Sequence, residues 1–139
     1  VVGTTGDEII ESMRAAAPVV DDEPMAGVTR FSWSYQSNDC NSIGSAVITA
    51  DMETSMPHWE GFSDSAPSLQ DIWIQFYGAL LVHEEGHRQA LLDLIDDNEK
   101  TVKSAADCED ANQGLEDNHA RYREIGLAYD QQTDHGRCD

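Results

Sequence analysis

From Ser68 to Ile95, apolar residues return at helical intervals through Ile72, Trp73, Phe76, Tyr77, Leu80, Leu81, Leu91 and Leu94, and no other stretch constrains the fold as much. So wide an apolar stripe predicts a core helix of about 25 residues against which the rest of the chain packs. Ser68, with Asp71 three residues later, reads as its cap. Near its middle stands His83-Glu84-Glu85-Gly86-His87. Residues four apart lie one above the other on a helix, so both imidazoles reach a single ion. Glu84, adjacent to the first histidine and three residues from the second, reaches a water on that ion without binding the ion itself. That is the layout of a zinc peptidase helix. Gly86 costs a helix interior roughly 1 kcal/mol against Ala, which predicts a neighbouring backbone too close to admit a side chain.

The flanking segments supply a small sheet and further helices. Val1 and Val2 are expected to begin a strand, and Thr5 followed by Glu8 is a capping-box pattern opening a helix through Ile9, Ile10 and Met13, with Pro18 beyond its end. Residues 21–27, with Pro24 and Gly27, read as a loop. Phe31, Trp33 and Tyr35 alternate with Ser32 and Ser34, the period of a strand with one aromatic face buried. After a polar turn holding Cys40, the β-branched stretch from Ile43 to Met52 reads as a second strand. Pro57 leads the chain out of the sheet, because it cannot donate to a ladder. Residues 60–67 read as a loop and 96–99 as a charged boundary. A second helix is expected from about Val102 to Ala128, with Leu115, His119, Tyr122 and Ile125 on one stripe. The tail from Tyr129 onward reads as a polar turn.

A chain of 139 residues fits one domain, residues 1–139. Its 27 acidic and eight basic residues give a formal charge of −19, which opposes binding to nucleic acid and to anionic membrane and implies a strongly hydrated surface suited to salty surroundings. No apolar run approaches the roughly 18 residues of a membrane span. The chain opens at Val1 without a charged-then-apolar leader, so a signal peptide is expected to be removed or to lie outside this sequence. Three cysteines, Cys40, Cys108 and Cys138, are spaced too widely for a CxxC zinc site. One disulfide with a spare thiol is favoured over three buried thiols.

Two imidazoles leave a catalytic zinc site incomplete, since three protein ligands and a water are usual. The candidates for the third place are His135, His119, His58 and nearby carboxylates such as Glu116 or Asp134. His135 precedes Gly136, where the backbone turns sharply. His119 lies on the presumed inward stripe, and His58 beside Trp59 is expected to pack within its loop.

With its Val1-Val2-Gly3-Thr4 opening, Trp33-Ser34-Tyr35, Met56-Pro57-His58-Trp59, His83-Glu84-Glu85-Gly86-His87-Arg88 and terminal Tyr129-Asp130-Gln131-Gln132-Thr133-Asp134-His135-Gly136, the chain resembles the bacterial family of predicted secreted zinc-dependent proteases. That is a former family of unknown function placed with the zincin-like peptidases. The resemblance runs over nearly the whole chain. It implies His83, His87 and His135 as zinc ligands, Glu84 as general base, a disulfide between Cys40 and Cys108, and a secreted or periplasmic setting. Cys138 is left over. Tyr129, six residues before His135, is a candidate second electrophile for the oxyanion, weighed equally against a packing role. Asp130 and Asp134 are candidates to hold the Nδ1 of a ligand histidine from behind. Glu85 and Arg88 are expected on a solvated face, and by analogy with zincins the Ile43–Met52 strand would lie along the substrate.

The expected fold is therefore α+β, a zincin-like minimal metallopeptidase domain with a small twisted sheet packed on the HExxH helix and a second long helix. The expected function is zinc-dependent hydrolysis of peptide bonds, a water activated by one Zn2+ ion and Glu84 as base, acting on peptide or protein substrates. A zinc-stabilised scaffold without activity, and a helical interaction module whose HExxH is accidental, are the competing classes.

Overall fold

A computed structural model describes residues 1–20, 22–41 and 43–134. Along the chain lie helix α1 (Gly6–Ala16), the two-residue strands β1 (Val19–Val20) and β2 (Glu23–Pro24), strand β3 (Val28–Gln36), a 3-10 turn (Ile43–Ser45), strand β4 (Val47–Ser55), a second 3-10 turn (Phe62–Asp64), and the long helices α2 (Pro67–Ser104) and α3 (Cys108–Gln132). The described residues thus form a mixed α+β fold of three helices and two separate two-stranded antiparallel sheets, the larger made by β3 and β4, in the fold class that the sequence predicts.

Helix α1 begins as its capping box dictates, with the Thr5 side chain accepting from the Glu8 N–H and the Glu8 carboxylate accepting from the Thr5 N–H. Val1 and Val2 do not form a strand. The Val1 ammonium donates to the His58 carbonyl at 2.7 Å, the Glu60 N–H donates to the Val1 carbonyl, and the Val2 N–H goes to Ser12 Oγ. Part of the expected 21–27 loop is instead a hairpin, in which Val19 pairs with Pro24 and Val20 with Glu23. Asp22 turns it with φ 66°, a conformation that aspartate tolerates better than most residues.

Strands β3 and β4 pair antiparallel from Val28↔Ser55 to Gln36↔Val47. The aromatic alternation holds: Phe31, Trp33 and Tyr35 are half-buried while Ser32 and Ser34 face out. The second strand starts four residues later than expected. Ile43 leaves the ladder to enter the core beside Val102 and Ala111, where Trp33, Tyr35 and Leu115 also pack. Asp51 and Glu53 stay in β4 on its exposed side, and the exit falls at Met56-Pro57.

Helix α2 is longer than expected, at 38 residues. It starts at Pro67, whose missing N–H costs nothing at a first helical position, and no Ser68 cap forms. It also runs straight through residues 96–99. There Asp96 pairs with Lys100 and Glu99 with Lys103 one turn on, so the charges face outward while Asn98 and Val102 continue the buried stripe. Val102 therefore belongs to α2. Asp107 caps α3 by accepting from the Asp110 N–H.

The two helices run antiparallel. Tyr35, half-buried on β3, donates to Asn112 of α3 across this end of the fold. Asn118 donates to Asn98 Oδ1 and to Thr101 Oγ1, Asn98 meets His119 Nε2 at 2.9 Å, and Tyr122 donates to Asp97. The Cys40–Cys108 disulfide ties the turn after β3 to the start of α3, with the Cys108 N–H donating to the Cys40 carbonyl. At the other end Phe62, Trp59, Trp73 and Phe76 pack in series, each ring edge-on or tilted to the next, and the Trp59 indole donates to the Gly3 carbonyl. The disulfide thus holds the start of α3 beside the sheet and the aromatic series holds the start of α2, and the middle of α2 faces the C-terminal part of α3.

Candidate metal centre

His83 and His87 sit one turn apart on α2 and project toward α3, whose last turns present Tyr129, Asp130 and Thr133. His83 Nε2 and His87 Nε2 lie 3.1 Å apart, and Asp130 Oδ1 stands 2.7 Å from His87 Nε2 and 3.2 Å from His83 Nε2. Among the described residues, these three side chains form a group whose donor atoms converge closely enough to hold one metal ion. Asp130 was expected to hold an Nδ1 from behind. Its carboxylate instead meets the Nε2 atoms themselves, in the position of a third ligand.

The hydrogen bonds behind the triangle orient it. The Thr133 hydroxyl donates to the Tyr129 carbonyl at 2.7 Å, so its oxygen accepts from His83 Nδ1–H at 2.8 Å. That fixes the tautomer of His83 and turns the Nε2 lone pair toward His87 and Asp130. Two imidazole nitrogens and a carboxylate oxygen brought this close are bridged either by the hydrogen of one ring nitrogen, as when His87 Nε2–H donates to Asp130, or by a metal ion among the three. Ligands on a tetrahedral zinc with arms of 2.0–2.1 Å stand about 3.3 Å apart. The observed triangle is a few tenths of an ångström tighter, within the reach of small side-chain rotations, so the donor set fits zinc in both chemistry and spacing.

Glu84 lies outside this triangle and is 3% exposed. Thr29 on β3 donates to Glu84 Oε2 at 2.7 Å, which leaves the Thr29 oxygen to accept from Thr54 on β4 at 3.1 Å. Glu84 Oε1 is confined by the backbone at Gly27, where an added Cβ would stand 3.0 Å from it. The sheet thus fixes the orientation of the carboxylate.

Tyr129 packs its ring parallel to His83, with centroids 5.1 Å apart, and edge-on to His87. Its hydroxyl lies over Gly86, so that a Cβ there would overlap it. The sequence pointed to a neighbouring backbone at Gly86, and the neighbour is this phenol. Burial, reinforced by the negative charges of Glu84 and Asp130, pushes the Tyr129 phenol above its ordinary pKa and keeps it neutral. On this geometry Tyr129 positions the two imidazoles.

Of the other candidates, His119 is taken up by Asn98 some three helical turns from Asp130, Glu116 is exposed nearby, and His58 is exposed. Asp134 is exposed with φ 47° and makes no hydrogen bond to His83 or His87. His135 and Cys138 lie outside the described residues. Sequence reading missed Thr133, Thr29, Thr54 and Gly27. Only Thr133 left a signal, as a hydroxyl able to bond the carbonyl four residues back at a helix end.

A family model described as a bacterial protein of unknown function (DUF922) matches residues 1–136. Comparison with curated proteins and with solved structures gave no significant match.

Proposed function

Since the chain belongs to DUF922, a bacterial family of unknown function, we propose its activity from the site itself: it is a zinc-dependent endopeptidase. The observation that carries this reading is the convergence of His83 Nε2, His87 Nε2 and Asp130 Oδ1, with the buried Glu84 carboxylate held one residue along the same helix. His83, His87 and Asp130 would hold the ion. Zinc bound there supplies Lewis-acid activation of a water and polarisation of a substrate carbonyl. Glu84 would accept a proton from the water that adds to the peptide carbonyl and deliver it to the leaving amine as the C–N bond breaks. Thr29 keeps the carboxylate aimed throughout, and Thr133 and Tyr129 keep the His83 ring from turning. An oxidising compartment, secreted or periplasmic, suits the disulfide.

The resemblance implies His135 as the third ligand, and its competition with Asp130 gives physical content to the silent scaffold. Three protein ligands leave a position for water, whereas four close the site. The test is zinc stoichiometry by elemental analysis together with cleavage of a mixed peptide library, with Glu84→Gln, Asp130→Ala and His135→Ala compared. One zinc per chain, cleavage abolished by Glu84→Gln, and zinc affinity weakened more by Asp130→Ala than by His135→Ala are expected. Cleavage that persists in Glu84→Gln removes the proposed base. Tight zinc without cleavage, weakened by both ligand substitutions, makes the site structural.

A further inference from the structure

The side of α2 turned away from the metal centre carries a second pattern. Ile74, Gly78, Leu81, Glu85, Arg88, Leu92 and Ile95 follow one another at alternating steps of four and three, the spacing of a helix–helix seam. At about 100° per residue, Glu85 and Arg88 lie roughly 150° round the helix from His83 and His87. Ile74, Leu81 and Leu92 are 57%, 42% and 47% exposed. Glu85 and Arg88 are exposed in the middle of the stripe, and neither makes an ion pair or side-chain hydrogen bond among the described residues.

We propose that this face of α2 is a self-association surface, on which a second copy of the chain packs its own α2 antiparallel about a two-fold axis between residues 86 and 87. The charges select this occupant. About such an axis Glu85 meets the second copy's Arg88 and Arg88 meets its Glu85, while Leu81 meets Leu92 and Gly78 meets Ile95. The chain has only eight basic residues against 27 acidic, yet one of them stands at the centre of an exposed apolar stripe, one turn from a glutamate. An isologous pair uses the same patch twice and needs no other partner. Both metal centres stay open, since they lie on the far sides of the paired helices.

From Gly78 to Ile95 the seam is about 26 Å long and roughly 10 Å wide, so it covers on the order of 300 Å² per copy. A stable interface buries about 800 Å² per partner. The dimer is therefore weak and concentration-dependent, and it strengthens with salt because screening removes the long-range repulsion between two acidic chains.

Sedimentation equilibrium of the zinc-loaded chain, its spare thiol alkylated, tests this up to about 1 mM protein and about 0.5 M NaCl. The wild-type mass should climb toward two chains, more steeply at the higher salt. Glu85→Arg sets Arg against Arg and Arg88→Glu sets Glu against Glu, so each should weaken association on the order of 10-fold. An equimolar mixture of the two variants should recover it, as should the double swap within one chain. Circular dichroism identical to wild type shows that the exposed substitutions leave the fold intact. A wild-type chain that stays at the mass of one copy throughout, single variants that associate as wild type does, or a mixture that fails to recover would each overturn the proposal.

Discussion

At the scale of single residues, the proposed metal centre depends as much on Thr133 as on the histidines, because Thr133 decides which face of His83 would be offered to an ion. The hydroxyl can accept from Nδ1–H only because its own proton is committed to the Tyr129 carbonyl. Thr133→Val keeps the shape and removes the acceptor. Partners behind a metal-bound histidine are typically worth 10–100-fold in metal affinity, so zinc binding measured by competition with a chromogenic chelator should weaken by about that factor, with Thr133→Ser close to wild type. Equal affinities for Val and Thr would show that packing alone orients the ring. The placing of His83 and His87 on one face of a helix, with Glu84 beside them, was legible in the sequence because HExxH spacing is a property of one helix. Thr133 and the contact of Asp130 with both Nε2 atoms were not legible, since they depend on the register in which α3 docks, and no local periodicity encodes that register.

Among the elements, α2 sets the geometry, and Gly86 marks where its own preference yields to its neighbour. Replacing Gly86 by Ala should favour the isolated helix by roughly 1 kcal/mol. In the folded protein the added Cβ would overlap the Tyr129 hydroxyl and stand 2.8 Å from a ring carbon. A phenol stacked on one imidazole and edge-on to another cannot withdraw without disturbing both. Gly86→Ala is therefore expected to lower the thermal midpoint and weaken zinc in the wild-type background. In a Tyr129→Ala background the same substitution should become stabilising, the sign reversal that identifies the clash. Two destabilisations that simply add would place the cost of Gly86→Ala elsewhere. The extent of α2 was only partly legible. Its apolar stripe announced the helix, but Asp96, Asp97 and Glu99 read as a break in composition, although the spacing of Asp96 to Lys100 and of Glu99 to Lys103 is a local signal for a continuing helix; only the partners of Asp97, Arg121 and Tyr122 of α3, depend on tertiary contact. The same limit moved β4, since Ile43 has strand propensity and is claimed by a core that only tertiary contact creates.

At the scale of the whole molecule, stability is a contest between one covalent tie and a large excess of like charge. The disulfide closes a sequence separation of 68 residues, which in the chain-entropy account stabilises the fold by about 4 kcal/mol. Typical total stabilities are about 5–15 kcal/mol, so this is a large share. Against it stands a net charge of −19, whose mutual repulsion is greater in the compact state than in the expanded one. Salt screens that repulsion over about 8 Å at physiological strength, and so favours the folded chain. Two outcomes follow for thermal unfolding followed by circular dichroism. The wild-type midpoint should rise steadily with NaCl. The Cys40→Ser/Cys108→Ser chain should melt roughly 15 °C lower at matched salt and regain part of that loss as salt is added, because the unfolding it suffers is the one that charge promotes. A midpoint indifferent to salt would mean that the 27 acidic side chains are placed so as to cost the fold nothing. The disulfide would then be answering a different demand, the fixing of the Cys40 turn against the start of α3.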